Sequence, residues 1–201
     1  VSGARPLRVA CLVSGGGRSV MNLQDRIERG ELPASIVLVL ATRPGVGAIE
    51  RARARGLAVA ELAPHPRETL DDRVDAALRA SGADLVVLAG YLRLFRVAAW
   101  KGRCINIHPA LLPRHGGKGL WGHHVHEAVL AAGDRESGCT VHWVDEQYDH
   151  GQTILQRRCP VLPSDTPESL ASRVFAEELE ALPEAIRCIT SGVATLAAAP
   201  A

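Results

Sequence analysis

The chain has 201 residues, 23 basic against 22 acidic, a net charge of +1 and five cysteines. That length suits one well-buried α/β domain over residues 1–201, and the near-neutral balance argues against the basic footprint of a nucleic-acid binder, leaving small molecules as the expected partners. The longest apolar runs, 36–41 and 85–90, fall far short of the roughly 20 residues that cross a bilayer, residues 1–6 carry no hydrophobic signal core, and Cys11, Cys104, Cys139, Cys159 and Cys188 form no Cys-x-x-Cys pair, so reduced thiols and a cytoplasmic chain without membrane contact are expected.

Residues 7–13 read as a buried strand running straight into the glycine loop 14–19 and a helical pattern through Ile27. A second strand, 36–41, ends at the Pro44-Gly45 turn, and the arginine-studded stretch 46–55 reads as a helix stopped by Gly56. A third strand spans 57–62. Leu70, Val74, Ala77 and Leu78 put an apolar side on a helix over 68–79, and 84–88 follows as a Val/Leu strand. The alternation predicts a doubly wound, mostly parallel sheet. Beyond it come a strand over 104–108, a helix over 124–132 and paired strands at 139–144 and 153–159, which add an antiparallel edge. Thr166 as N-cap, Pro167 at the first helical position and the stripe Leu170, Val174, Leu182, Ile186 predict a closing helix. Residues 1–6 and the Ala-rich end, 194–201, are expected to fray.

The strand Cys104-Ile105-Asn106-Ile107-His108-Pro109 is the most informative segment. Asn106 and His108, two apart, project together while Ile105 and Ile107 enter the core. Pro109 ends the strand, leaving the pair at the mouth where open α/β sheets bind ligands. An amide and a protonated imidazole are equipment for stabilising an oxygen that gains negative charge in acyl transfer, although a hydrogen-bonded edge histidine explains the same residue. The polar loop Tyr148-Asp149-His150-Gly151 can carry Asp149 back to His108, where a carboxylate would raise the imidazole pKa and help shuttle a proton; a turn-capping aspartate is the plainer reading. Gly15, Gly16 and Gly17, opening a helix, suit a phosphate, or equally a tight structural turn. Ser14 lacks the Gly-x-Ser-x-Gly elbow of a serine hydrolase. His123, His124, His126 and Glu127 lack metal-site spacing, and no metal is expected.

Taken in order, Asn106-Ile-His108-Pro-Ala-Leu-Leu-Pro113, Ser137-Gly-Cys-Thr-Val-His142 and Tyr148-Asp149-His-Gly resemble the formyltransferases that use 10-formyltetrahydrofolate. The likeness runs from Arg8 through Glu178 and implies a Rossmann-like formyltransferase fold. Within that family it implies transfer of a formyl group from folate N10 to the primary amine of 5'-phosphoribosylglycinamide, in purine synthesis. By the resemblance, Asn106 and His108 stabilise the oxyanion, Asp149 keeps His108 charged and relays a proton, and His142 supports the Asp149 loop. Leu92, Arg93, Leu94 and Phe95 match one wall of the folate pocket, with Val144, Asp145 and Tyr148 the other. Gly15, Gly16, Gly17, Arg18 and Ser19 fall on the acceptor's phosphate side, and Glu178 matches a ribose-binding glutamate whose plain reading is a solvated helix face. A sugar-nucleotide N-formyltransferase and a non-catalytic folate-binding protein are the alternatives, and homodimerisation is left open.

Three departures from the family pattern stand out. The loop from Gly15 to Gln24 is lengthened, so that Asn22 aligns with the phosphate-binding asparagine yet falls inside the helix, making Arg18 and Ser19 the preferred substitutes. The loop 115–122 is long and glycine-rich, and its Lys118 serves either the phosphate or the surface. Phe175 stands where relatives place a polar or basic substrate contact.

Overall fold

The apolar runs form β1 (Leu7–Val13), β2 (Ala34–Ala41), β3 (Val59–Glu61), β4 (Leu85–Leu88), β5 (Cys104–His108), β6 (Glu136–Trp143) and β7 (Thr153–Pro160). The computed structural model, which describes residues 5–197, joins them in one sheet of order β3-β2-β1-β4-β5-β6-β7. The first five strands of that order pair in parallel, while β6 runs antiparallel to both β5 and β7. The expected α/β fold, mostly parallel with an antiparallel edge, is therefore present. β1 and β4 lie side by side although two strands intervene in sequence, which makes their carboxyl ends the topological switch point.

Helices α1 (Arg18–Glu28), α2 (Gly47–Ala54), α3 (Leu70–Ala80), α4 (His123–Ala131) and α5 (Pro167–Thr190) cover the sheet. One core cluster unites Val20 and Leu23 of α1, Ile49 of α2, Val129 of α4 and Leu182 and Ile186 of α5 with Val9, Cys11, Ile105 and Ile107 of the strands. The other packs Leu70, Val74 and Leu78 of α3 against Leu12, Leu40, Val86 and Cys104. Ile105 and Ile107 thus turn into one cluster while Cys104 faces the other, as strand alternation requires. The five cysteines are free, four of them buried.

Element ends moved by a few residues. β6 begins at Glu136, three residues before the expected start at Cys139, because the ladder to β7 extends to the Glu136–Pro160 pair. A 3-10 turn over Arg67–Thr69 precedes α3. Within the ends expected to fray, Arg5 forks onto both carboxylate oxygens of Asp84 at 2.8 Å, and the N–H groups of Ala194 and Ala197 bond the carbonyls of Cys188 and Gly102. Residues 1–4 and 198–201 lie outside the described residues. Among the described residues no helix is long and apolar enough to cross a membrane.

The closing helix begins as expected, with Thr166 accepting from the Ser169 N–H in a capping box and Pro167 in the first turn. It then runs through Pro183, which has no N–H to give the carbonyl four residues back. That carbonyl belongs to Leu179, and the side chain of Asn22 donates to it at 2.7 Å. A buried acceptor left without a partner costs about 1–3 kcal/mol, so Asn22 acts as a structural clamp between α1 and α5. Asn22→Ala should lower Tm by several degrees, and the loss should shrink in a Pro183→Ala background, where the helix supplies its own N–H. Equal losses in both backgrounds, measured by thermal denaturation, would contradict this account.

Candidate active site

Asn106 and His108 end β5, and the antiparallel register sets Asn106 opposite His142 and His108 opposite Thr140 of β6. Asp149 arrives from the loop between β6 and β7, where its φ of 55° places a non-glycine residue in the left-handed region. Gly151 makes that return tight, since a Cβ there would stand 1.8 Å from the carbonyl oxygen of Trp143. Two donors and two imidazole nitrogens surround the Asp149 carboxylate. The Gly117 N–H donates to Oδ2 at 3.0 Å and the Asn106 amide to Oδ1 at 3.3 Å. His108 Nδ1 stands 3.5 Å from Oδ2 and His142 Nε2 3.6 Å from Oδ1.

His142 Nδ1 faces the carbonyl of Trp143 at 2.9 Å, which commits that nitrogen as a donor. Its Nε2 then accepts from the Asn106 amide at 3.2 Å when the ring is neutral, and donates toward Asp149 when it is protonated. His142 thus stands against both Asn106 and Asp149. Asn106, however, is no free donor: both amide hydrogens have protein acceptors, and the carboxylate fixes which end of the amide faces inward.

Asp149 pushes the His108 pKa up, as expected, but the net shift is downward. Burial pushes the ring below its ordinary value more strongly than the Asp149 charge and the His115 carbonyl push it up, and the neighbouring rings of His142 and His115 also oppose its charge. Asp149 shows the reverse balance. Burial raises its pKa, but the His142 hydrogen bond, the His108 charge and the Gly117 N–H together hold it below the usual carboxylate range.

This group lies in a cleft of about 590 Å³ at the carboxyl ends of the strands. Ser14 does not point to nucleophilic chemistry, because its hydroxyl accepts from the Leu92 N–H at 3.2 Å and ties the end of β1 to the segment after β4. At one end of the cleft stand Gly15, Gly16, Gly17, Arg18, Ser19, Phe175 and Glu178. Gly17 is obligatory for two reasons: its φ is 74°, and a Cβ would come within 2.5 Å of the Ala48 side chain. The turn is therefore structural, and it also delivers the first-turn N–H groups of α1, which lack intrahelical acceptors and a side-chain cap. Arg18 opens that turn with its guanidinium 3.8 Å over the Phe175 ring. A cation at a helix N-terminus opposes the dipole, so the pair makes a strongly positive corner. Glu178, beside it, has its pKa pushed up to about 7 by burial, against the pull of Arg18.

Leu92, Arg93, Leu94, Phe95, Val144 and Tyr148 also line the cleft. Phe95 is buried as a floor while Leu92, Leu94 and Tyr148 are exposed apolar walls. Asp145 is not among the lining residues, because its carboxylate is turned to the Gln147 N–H and the His150 ring, where it shapes the loop. Gln147 lines the cleft instead, and Trp121, half exposed, lines it from the glycine-rich loop with an edge-on contact to His124. Both were missed from the sequence; a lone aromatic among Gly117, Gly119 and Gly122 was the available signal. Lys118 is exposed at the mouth. His123 and His124 both pair with Glu127, and among the described residues no group of three or more His, Cys, Asp or Glu is arranged to hold a metal.

A switch-point cleft lined by a glycine turn with a cation, by apolar side chains and by an amide, imidazole and carboxylate is the kind of site in which α/β enzymes handle small molecules. The family model for formyl transferases matches residues 7–186, and the chain belongs to that family. It is 41% identical over 193 residues to the chloroplastic phosphoribosylglycinamide formyltransferase of Arabidopsis thaliana, covering 92% of this chain and 66% of the plant protein. It is 38% identical to the trifunctional purine biosynthetic protein adenosine-3 of Drosophila melanogaster, covering 96% of this chain and 14% of that protein. The chain thus spans less than two thirds of either relative. Among solved structures, glycinamide ribonucleotide transformylase 1 from Symbiobacterium toebii superposes with a TM-score of 0.88 at 36% identity, covering 94% of this chain and 90% of the other. Phosphoribosylglycinamide formyltransferase from Brucella melitensis superposes with a TM-score of 0.83 at 34% identity, covering 97% and 100%.

The raised pKa of Glu178 is directly measurable. Carbon-13 NMR of the side-chain carboxyl should show a midpoint near 7, and Arg18→Ala should move it higher because the cation that favours the ionised form is gone. A midpoint in the ordinary range near 4.3, or a downward move in the variant, would refute the electrostatics described for this corner.

Proposed function

We propose that the chain transfers the formyl group of 10-formyltetrahydrofolate to the primary amine of 5'-phosphoribosylglycinamide. The observation that carries the reading is the meeting of Asn106, His108 and Asp149 between two chemically distinct ends of one cleft. The positive corner of Gly15, Gly16, Gly17, Arg18 and Ser19 suits a phosphate, and Lys118 adds charge at its mouth. Glu178 offers an acceptor for ribose hydroxyls. The slot between residues 92–95 and Val144 with Tyr148 suits a flat heteroaromatic ring whose polar edge meets main-chain groups. Asp145 contributes to that wall through the loop it stabilises.

In this reading the amine nitrogen bonds to the formyl carbon, the carbonyl π-electrons move to oxygen, and the bond to folate N10 then breaks. One proton leaves the amine and one arrives at N10. Asn106 donates an N–H to the developing oxyanion, drawing it from the hydrogen bond it shares with Asp149 in the free site. His108, protonated, supplies the second donor from Nδ1, whose 3.5 Å separation from Asp149 is too long to be a strong hydrogen bond. Asp149 receives the amine proton, directly or through a water, and returns it toward N10. His142 keeps the Asn106 amide aimed. Donors preorganised in a site closed to bulk water account for effects of about 10²–10³-fold each.

Phosphoribosylglycinamide and an amino-sugar nucleotide, offered in parallel with 10-formyltetrahydrofolate, separate the acceptor classes: formylation of the sugar alone would replace the acceptor proposed here. For the mechanism, Asn106→Ala or His108→Ala should keep folate binding and lower kcat by about 10²-fold or more, whereas near-normal turnover in both variants would overturn it. Replacing Arg18, Ser19 and Lys118 together should raise KM for the phosphorylated acceptor and leave KM for the folate unchanged.

A further inference from the structure

We propose that Asp134 and His115 are positioning residues that fix the tautomer and orientation of His108 through a main-chain carbonyl. Among the described residues only His115 and Asp149 combine a non-glycine side chain with positive φ, 55° in each case. A conformation of that kind persists where its surroundings hold it. For His115 the hold is explicit. Its Nε2 stands 2.7 Å from Asp134 Oδ2, and Asp134 Oδ1 is held by Arg114 Nη2 at 2.6 Å. Both the His115 and Asp134 side chains are nearly nine-tenths buried, at 14% and 12% exposure. The preceding turn is clamped as well, by Thr140 Oγ1 accepting from the Leu112 N–H and by Gln156 donating to the Leu112 carbonyl.

The consequence is that the His115 carbonyl points at His108 Nε2, 2.7 Å away. A carbonyl only accepts, so Nε2 must carry hydrogen in both charge states of the ring. Nδ1 is then the nitrogen that gains and loses a proton, and it is the one facing Asp149. The other titratable groups around the ring are His142, His115 itself and, from α4, His126. Asp134 is outside the cleft lining and acts on His108 only through His115.

The kinetic part of this inference rests on the formyl-transfer reading; the tautomer part does not. Nitrogen-15 NMR of histidine-labelled protein should show His108 as the Nε2–H tautomer in the wild type. Asp134→Asn, whose amide oxygen still accepts from His115, should preserve it. Asp134→Ala should give a tautomer mixture, and so should His115→Gly, which takes the positive φ without strain and serves as the second variant if the first fails to fold. In turnover, Asp134→Ala should lower kcat tenfold or more, as expected of a misplaced reacting group, with KM changed by no more than about twofold. Its alkaline limb should move to lower pH, because the lost acceptor favoured the protonated ring. Unchanged tautomer and kcat in Asp134→Ala, or equal impairment in Asp134→Asn with the tautomer intact, would overturn the proposal. A wild type that binds folate yet formylates no phosphoribosylglycinamide would remove the reaction while the NMR result still decided the positioning.

Discussion

One buried carboxylate organises the site. An ionised group withdrawn from water is tolerated only when polar partners replace its hydration, and Asp149 draws them from four residues: two at the end of β5, one near the end of β6 and one in the glycine-rich loop. Those segments are distant in sequence, so the carboxylate is a constraint on tertiary structure as much as a chemical group. Its left-handed backbone and the close approach of Gly151 to Trp143 belong to the same requirement, since a relaxed loop would leave the side chain in solvent. The sheet supplies the rest. An antiparallel β6 beside β5 is what puts His142 opposite Asn106, and a parallel neighbour with a crossover helix would have put a different register and a covering helix there.

His108 and Asp149 both titrate below their ordinary values, but for opposite reasons, burial for the ring and its partners for the carboxylate, and this bears on how the pair works. Burial disfavours charge on both groups, yet only Asp149 has enough donors to overcome it. His108 has one carboxylate and one carbonyl in its favour, with His142 and His115 against it. The ring is therefore easily discharged in the free site. In the mechanism proposed above, a developing oxyanion adds the missing negative charge beside Nδ1, so the charge state that would stabilise the tetrahedral species is strengthened by that species itself. Interactions that grow toward the transition state raise kcat, whereas equal stabilisation of the ground state would not.

Much of this was legible in the chain. Strands over Val/Leu runs, the strand-glycine-helix opening and the Thr166-Pro167 start are local signals, and each formed within a few residues of its expected place. The side-by-side projection of Asn106 and His108 follows from strand periodicity alone, and the long-range return of Asp149 was readable as an expectation of the motif order. What failed was what depends on three-dimensional balance. No sequence pattern weighs desolvation against a neighbouring charge, so the upward push of Asp149 on His108 was legible but the net downward shift was not. Asp145 belonged to the right loop, but its side chain turned to local donors. The ends at 5–6 and 194–197 look featureless, yet make bonds to Asp84, Cys188 and Gly102 that no local composition announces. Asn22 falls inside α1, as expected, and its bond to the Leu179 carbonyl makes sense only once Pro183 is placed in α5.

The acceptor corner shows how the lengthened glycine loop can be accommodated without losing its electrostatics. Asn22 gives an amide hydrogen to the Leu179 carbonyl and is not among the residues lining the cleft. Arg18 stands instead at the first turn of α1, and α5 presents Phe175 to its face. An aromatic ring there limits the guanidinium's rotamers and adds a cation–π attraction of about 0.5–2 kcal/mol, while leaving every N–H in the guanidinium plane free to donate. A lysine or polar group on α5 would instead have placed a second charge or a competing hydrogen bond against Arg18. Positive charge therefore sits on the helix whose N-terminus already favours an anion, and the facing helix contributes shape. Glu178, one turn along α5, completes the corner: with its pKa lifted to about 7 by burial, it is readily neutral when the corner is empty, which avoids cancelling the positive potential that draws an anion in.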